Sequence, residues 1–181
     1  MQIYVIRHCK ATGQSEDAPL TDQGFEQAEV LAHFLLKTGI EQVVCSPYLR
    51  AQQSIEPYVH RNNIPIILDS RLSERVLSTS NLDNWFECLQ RTFDDFDLFF
   101  DGGESSRQAM ERAIEVVKKF ESTESKCIAM VTHGNLMTLL LRHFDTRFGF
   151  NEWAKFTNPD VFLIDVGENK STVERVWREL A

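Results

Sequence analysis

Short apolar runs alternate with amphipathic stretches along most of this chain, and that alternation restricts the folds open to it more than any other feature. Residues 2–6, 42–45, 64–68 and 126–131 concentrate β-branched and other apolar residues without helical spacing, as buried strands do. Between them the spacing changes. Phe25, Ala28, Leu31, Ala32 and Leu35 follow Thr21, a helix-cap residue, and Gly39 is placed to end that helix. Ala51, Ser54, Ile55, Tyr58 and Val59 follow Ser46-Pro47, a helix-start pair, and run to Asn62-Asn63. Ala109, Ala113, Val116, Val117 and Phe120 form the inward stripe of a helix over 104–121. Further helices are expected over 81–96 and 136–144, and a terminal hairpin from 161–166 and 172–177. Strands alternating with helices predict an α/β fold of three layers, a mainly parallel central sheet with helices on both faces. With 181 residues, 43% of them hydrophobic, the chain can fill one core, and a single domain over 1–181 is expected.

The 27 acidic residues outnumber the 19 basic ones, for a formal net charge of −8, which argues against nucleic acid or an anionic membrane surface as the main partner. An anionic ligand would need a local basic pocket. No apolar run approaches the roughly 20 residues of a membrane span, and the first residues lack a basic region followed by a long apolar segment, so a soluble cytoplasmic chain is expected. Cys9, Cys45, Cys88 and Cys127 form no CxxC pair, and reduced thiols in a cytoplasmic protein are the simplest account. Nothing in the sequence speaks to oligomeric state.

Arg7-His8-Cys9 lies where the first strand ends, and open α/β sheets bind ligands at strand ends. A neutral imidazole can attack phosphorus while a guanidinium forks onto phosphoryl oxygens and neutralises their charge. His133-Gly134 repeats the placement, ending the fourth strand and opening a helix whose N-terminus favours an anion. Arg50 stands in the first turn of a helix, where a cation opposes the dipole by about 0.3–1 kcal/mol unless an anion compensates. Glu74 brings a carboxyl group to the same edge, and proton donation from it would call for a raised pKa.

Arg7-His8, Pro19-Leu20-Thr21 with Gly24, the run from Ser46 to Ala51, Arg71-Leu72-Ser73-Glu74, Gly103-Glu104-Ser105 and Thr132-His133-Gly134 keep chain order. Together they resemble the histidine phosphatase superfamily, the phosphoglycerate mutase-like proteins. The resemblance implies that His8 becomes a transient phosphohistidine, that Arg7, Arg50 and His133 form the phosphate pocket, and that Glu74 is the proton donor. Gln14 falls where many relatives carry a phosphate-binding asparagine. A small phosphorylated metabolite or a phosphoprotein is the implied substrate, with no metal and no cofactor. A small helical cap at about 75–103 would cover the pocket and make the choice of substrate. Most of its rings, Trp85, Phe86, Phe93, Phe96, Phe99 and Phe100, are expected in the core. Its acids Asp94, Asp95, Asp97 and Asp101 would repel highly phosphorylated substrates if they faced the opening.

The chain departs from the family where Cys9 replaces the usual glycine and Lys10-Ala11 the usual Glu-Thr. Cys9 invites comparison with cysteine-dependent tyrosine phosphatases, whose signature arginine is absent at Ser15, so that reading fails. Cys9 is then either a small filler at the pocket wall or a thiol activated by Arg7 and Lys10. Hydrolysis through a phosphohistidine is the expected activity. A mutase would need inserted lid segments for which this compact chain has little material, and a phosphate-binding module without catalysis is the third alternative.

Overall fold

A computed structural model describes residues 1–178. Six strands form one sheet: β1 (Gln2–Arg7), β2 (Gln42–Cys45), β3 (Ile66–Leu68), β4 (Cys127–Thr132), β5 (Asp160–Asp165) and β6 (Thr172–Arg175). Their order is β3-β2-β4-β1-β5-β6. The first four pair in parallel, while β5 runs antiparallel to both β1 and β6. Helices α1 (Asp22–Leu35) and α2 (Leu49–Asn62) cover one face, and α4 (Ser106–Glu121) and α5 (Gly134–Phe144) the other. The expected three-layer α/β architecture is therefore present.

β4 is buried at all six positions, as a central parallel strand covered on both sides must be. Its residues alternate between the two cores: Ile128 and Met130 meet α4 and α5, while Ala129 and Val131 meet α1 and α2. Thr21 caps α1 by accepting from Gly24 N at 3.0 Å, and Ser105 with Gln108 closes a capping box on α4. Asn63 ends α2 in the left-handed region at φ 52°.

Two local expectations are corrected, and one helix is unforeseen. Helix α2 starts at Leu49 with Tyr48 as its boundary, because the Ser46 hydroxyl, the cap suggested by the Ser-Pro pair, is engaged elsewhere. The helix expected over 81–96 is shortened to α3 (Trp85–Asp94), since Asn81, Asp83 and Asn84 turn the chain before it can coil. A four-residue helix, α6 (Phe150–Trp153), has no sequence signal, being too short to display periodicity.

Between the 3-10 turn at Ser70–Leu72 and α4, the chain crosses over the strand ends and returns. Arg75, buried in that crossover, donates to Glu104 O, Thr92 Oγ1 and Ser106 Oγ. Arg112 of α4 pairs with the Glu104 carboxylate and donates to Ser73 O at 2.9 Å. These bonds anchor both ends of the crossover beside Glu74. Among its rings only Phe93 is fully buried; Trp85, Phe86 and Phe99 are exposed, correcting the expectation that most would be core.

Candidate active site

The carboxyl ends of β1 and β4 lie side by side, with Arg7 registered opposite Thr132, so His8 and His133 follow from adjacent strands. A cavity of about 510 Å³ opens above them, within the usual range for small-molecule sites. Arg7, His8, Gln14 and Glu74 line it, whereas Arg50 and His133 lie buried directly behind His8.

His8 is held through its backbone and its ring. Asn158 Nδ2 donates to His8 O at 2.7 Å, and the ring Nδ1 sits 2.6 Å from Cys9 O. A carbonyl can only accept, so Nδ1 carries the hydrogen and Nε2 keeps its lone pair. Burial, reinforced by the Arg50 and Arg7 charges, pushes the imidazole down to about 3, against the opposing pull of its bond to Cys9 O. His8 is therefore a neutral base at physiological pH. Arg50 Nε approaches its Nε2 at 3.3 Å, while Nη1 donates to Gln14 O and Ser15 O. The Arg50 guanidinium also lies 4.9 Å from the centre of the Tyr48 ring.

His133 packs its ring edge-on to His8, with centroids 5.1 Å apart. Ser46 Oγ lies 2.8 Å from His133 Nε2 and already accepts from Tyr48 N at 3.3 Å. With the hydroxyl donating to His133 Nε2, the ring hydrogen falls on Nδ1; that atom is buried and has no partner among the described residues. Burial and the charges around it lower His133 well below the ordinary histidine range.

Arg7 Nη1 donates to Phe156 O at 2.9 Å, and its buried Nε has no partner among the described residues. A Cβ at Gly134 would lie 3.1 Å from the guanidinium carbon of Arg7, close enough that the guanidinium would have to shift by a few tenths of an ångström. Glu74 occupies the N-terminus of α5. Its Oε1 accepts from Arg75 N at 2.8 Å and Leu136 N at 3.0 Å, and its Oε2 from Asn135 N at 3.1 Å. Three donors fill both lone pairs of Oε1 and one of Oε2, so a transferable proton has one place, the remaining lone pair of Oε2.

Gln14 reaches the site at the cavity rim and holds Arg50 with its backbone carbonyl. Cys9 is fully buried in the α1–α2 core, and burial pushes its thiol up to about 12, which favours the filler role over the activated thiol. The four cap acids do not line the cavity; Asp97 pairs with Arg107, and Asp101 takes the Ser80 hydroxyl.

Sequence reasoning misses the role of Ser46, whose local pattern is that of a helix cap, and misses Asn158, which precedes β5. The signal for Asn158 is the terminal hairpin, whose antiparallel sense against β1 sets that residue at the edge where β1 ends. Asp160, paired with Arg175, accepts from Thr157 N and steadies that loop.

Known proteins share both the sequence pattern and the fold. A probable phosphatase, C1687.21 of Schizosaccharomyces pombe, is 26% identical over 164 residues, covering 83% of this chain and 76% of that protein. A probable phosphoglycerate mutase, GpmB of Escherichia fergusonii, is 27% identical over 94% of this chain and 87% of its own. The solved mycobacterial glucosyl-3-phosphoglycerate phosphatase superposes with a TM-score of 0.79 at 18% identity, over 96% of this chain and 97% of that one, a likeness of fold. The sequence profile of the histidine phosphatase superfamily (branch 1) matches residues 3–178, nearly the whole length, and this chain belongs to that family.

Proposed function

We propose that this chain is a phosphomonoesterase that works through a covalent phosphohistidine on His8. One observation carries the reading: His8 is locked through Nδ1 to Cys9 O, so its neutral Nε2 faces a pocket of guanidinium groups. An imidazole base among cations has a poor reason to exist as structure, because burying it there costs stability, and a good one as a nucleophile toward a dianion.

In this reading the His8 Nε2 lone pair attacks phosphorus, the bond to the ester oxygen breaks, and that oxygen takes a proton from Glu74. Water then attacks the phosphohistidine while Glu74 accepts its proton, and the P–N bond breaks to return His8. Arg7, Arg50 and the His133 Nδ1–H supply positive charge and donors to the equatorial oxygens, which is most of what phosphoryl transfer asks of a protein. The entering phosphate would separate Arg50 Nε from His8 Nε2, replacing that contact with a charge-assisted bond from Arg50. Gln14 is assigned to the same phosphate as a side-chain amide donor. The charge is balanced by arginines, so the scheme invokes no metal. Acidic composition and four buried, reduced cysteines support a cytoplasmic place.

The likeness to a probable mutase leaves transfer to a second alcohol as the alternative, and the open cavity beside His8 favours water as acceptor. Steady-state hydrolysis of p-nitrophenyl phosphate tests the proposal. Turnover with release of inorganic phosphate supports it; the absence of turnover at every pH from 5 to 9 overturns it.

A further inference from the structure

The sheet side of the cavity carries Arg7 and His8, and the crossover side, apart from Glu74 and Arg75, is apolar. Leu77, Trp85 and Leu89 of the crossover and Trp153 of α6 line it together. Trp85 leaves half of its surface, 51%, exposed although the same helix buries Cys88, Leu89 and Phe93. Phe86 joins the two indoles: its ring centre lies 5.5 Å from that of Trp85 and 6.2 Å from that of Trp153. Phe150 backs the cluster at 5.0 Å from Phe86 and 5.5 Å from Trp153. Two indoles held in place at a cavity wall are a preorganised apolar surface.

Polar recognition on that side is sparse. The Arg75 guanidinium, which also lines the cavity, already donates to Glu104 O, Thr92 and Ser106. Lys10 Nζ, at the cavity wall, reaches Gln23 Oε1 at 2.9 Å. Among the described residues, Glu74 is the one carboxylate of the lining. A leaving group rich in hydroxyls would lose water to a wall that returns few hydrogen bonds. Of the cations in the lining, a second phosphate would find Lys10, since Arg7 serves the first phosphate and Arg75 is engaged.

From this juxtaposition, and resting on the phosphomonoesterase reading, we infer that the preferred substrates are monoesters carrying one compact aromatic or apolar group close to the ester oxygen, seated against Trp85 and Trp153. Both indoles are specificity-determining residues.

Benzyl phosphate and ethyl phosphate test it, because their alcohols leave with similar difficulty and differ in the ring. The expected kcat/KM ratio favours benzyl phosphate by about tenfold or more, as an added apolar group in a fitted pocket does. That ratio should fall below about threefold in both Trp85→Ala and Trp153→Ala, whatever happens to the two rates together. A ratio near one in the unmodified protein, or one unchanged in both variants, overturns the subsite. Binding is read separately from chemistry: two of the three tryptophans line the cavity, so benzylphosphonate should change the intrinsic fluorescence at concentrations where methylphosphonate does not. Discrimination without hydrolysis of any ester would support the subsite while sinking the phosphatase reading. Hydrolysis with equal responses to the two phosphonates would do the reverse.

Discussion

The two sides of the cavity are built by opposite means. On the sheet side, His8, Arg50 and His133 are buried, and each is tied to backbone or to a neighbouring side chain: His8 to Cys9 O, Arg50 to Gln14 O and Ser15 O, His133 to Ser46. On the crossover side, Trp85 and Phe86 stand half exposed and pack ring against ring. Burial with hydrogen bonds to backbone and neighbouring side chains fixes charge and direction, which suits a transition state common to all phosphomonoesters. Ring-on-ring contact fixes shape and leaves chemistry open, which suits the variable part of a substrate. The contrast assigns catalysis to one side and selection to the other.

Changes on the sheet side should therefore depress every substrate together. Arg50→Ala is expected to lower turnover on the order of a hundredfold or more for aryl and alkyl phosphates alike, as loss of a preorganised charge donor does. A loss under threefold, or one confined to a single substrate, would break the division.

Glu74 stands on the boundary, with its backbone in the crossover and its carboxylate on the N-terminus of α5. Glu74→Gln should slow ethyl phosphate by roughly a hundredfold and p-nitrophenyl phosphate by less than about tenfold, because only the poor leaving group needs the proton. Equal losses would argue for a purely positional role.

A smaller effect concerns stability. His8 and His133 are held neutral when folded, with His8 down at about 3, whereas in the unfolded chain both titrate near the ordinary value of about 6.5. Below about pH 6.5 the unfolded state binds protons that the folded state refuses, so stability is complete above that pH and falls as acid is added toward pH 3. Melting temperature should drop between pH 7 and pH 5, and drop less in the His8→Gln, His133→Gln double variant. An equal drop in both proteins would place the sensitive groups elsewhere.

The same contrast explains how much of the molecule is legible in its sequence. Residues on the sheet side follow strands whose burial writes a run of apolar residues, so the pattern alone puts Arg7, His8 and His133 at strand ends. Arg50 is recognisable from its cost at a helix N-terminus. Ser46 is visible only as a capping residue, since its bond to His133 spans 87 positions and no local pattern encodes it. Glu74 falls at the right edge, but its three backbone donors come from residues 75, 135 and 136 and depend on how α5 docks. The crossover is least legible. Its rings follow the same spacing whether they face the core or a cavity, and the packing of α6, a helix of four residues, decides between the two.

The central claim is that His8 carries the phosphoryl group. Rapid acid-free quenching with a ³²P-labelled monoester, applied to the unmodified protein, His8→Ala and Cys9→Ser, tests it most directly. The account predicts an acid-labile, base-stable adduct in the unmodified protein and in Cys9→Ser, and none in His8→Ala. Label that persists in His8→Ala and disappears in Cys9→Ser would contradict it.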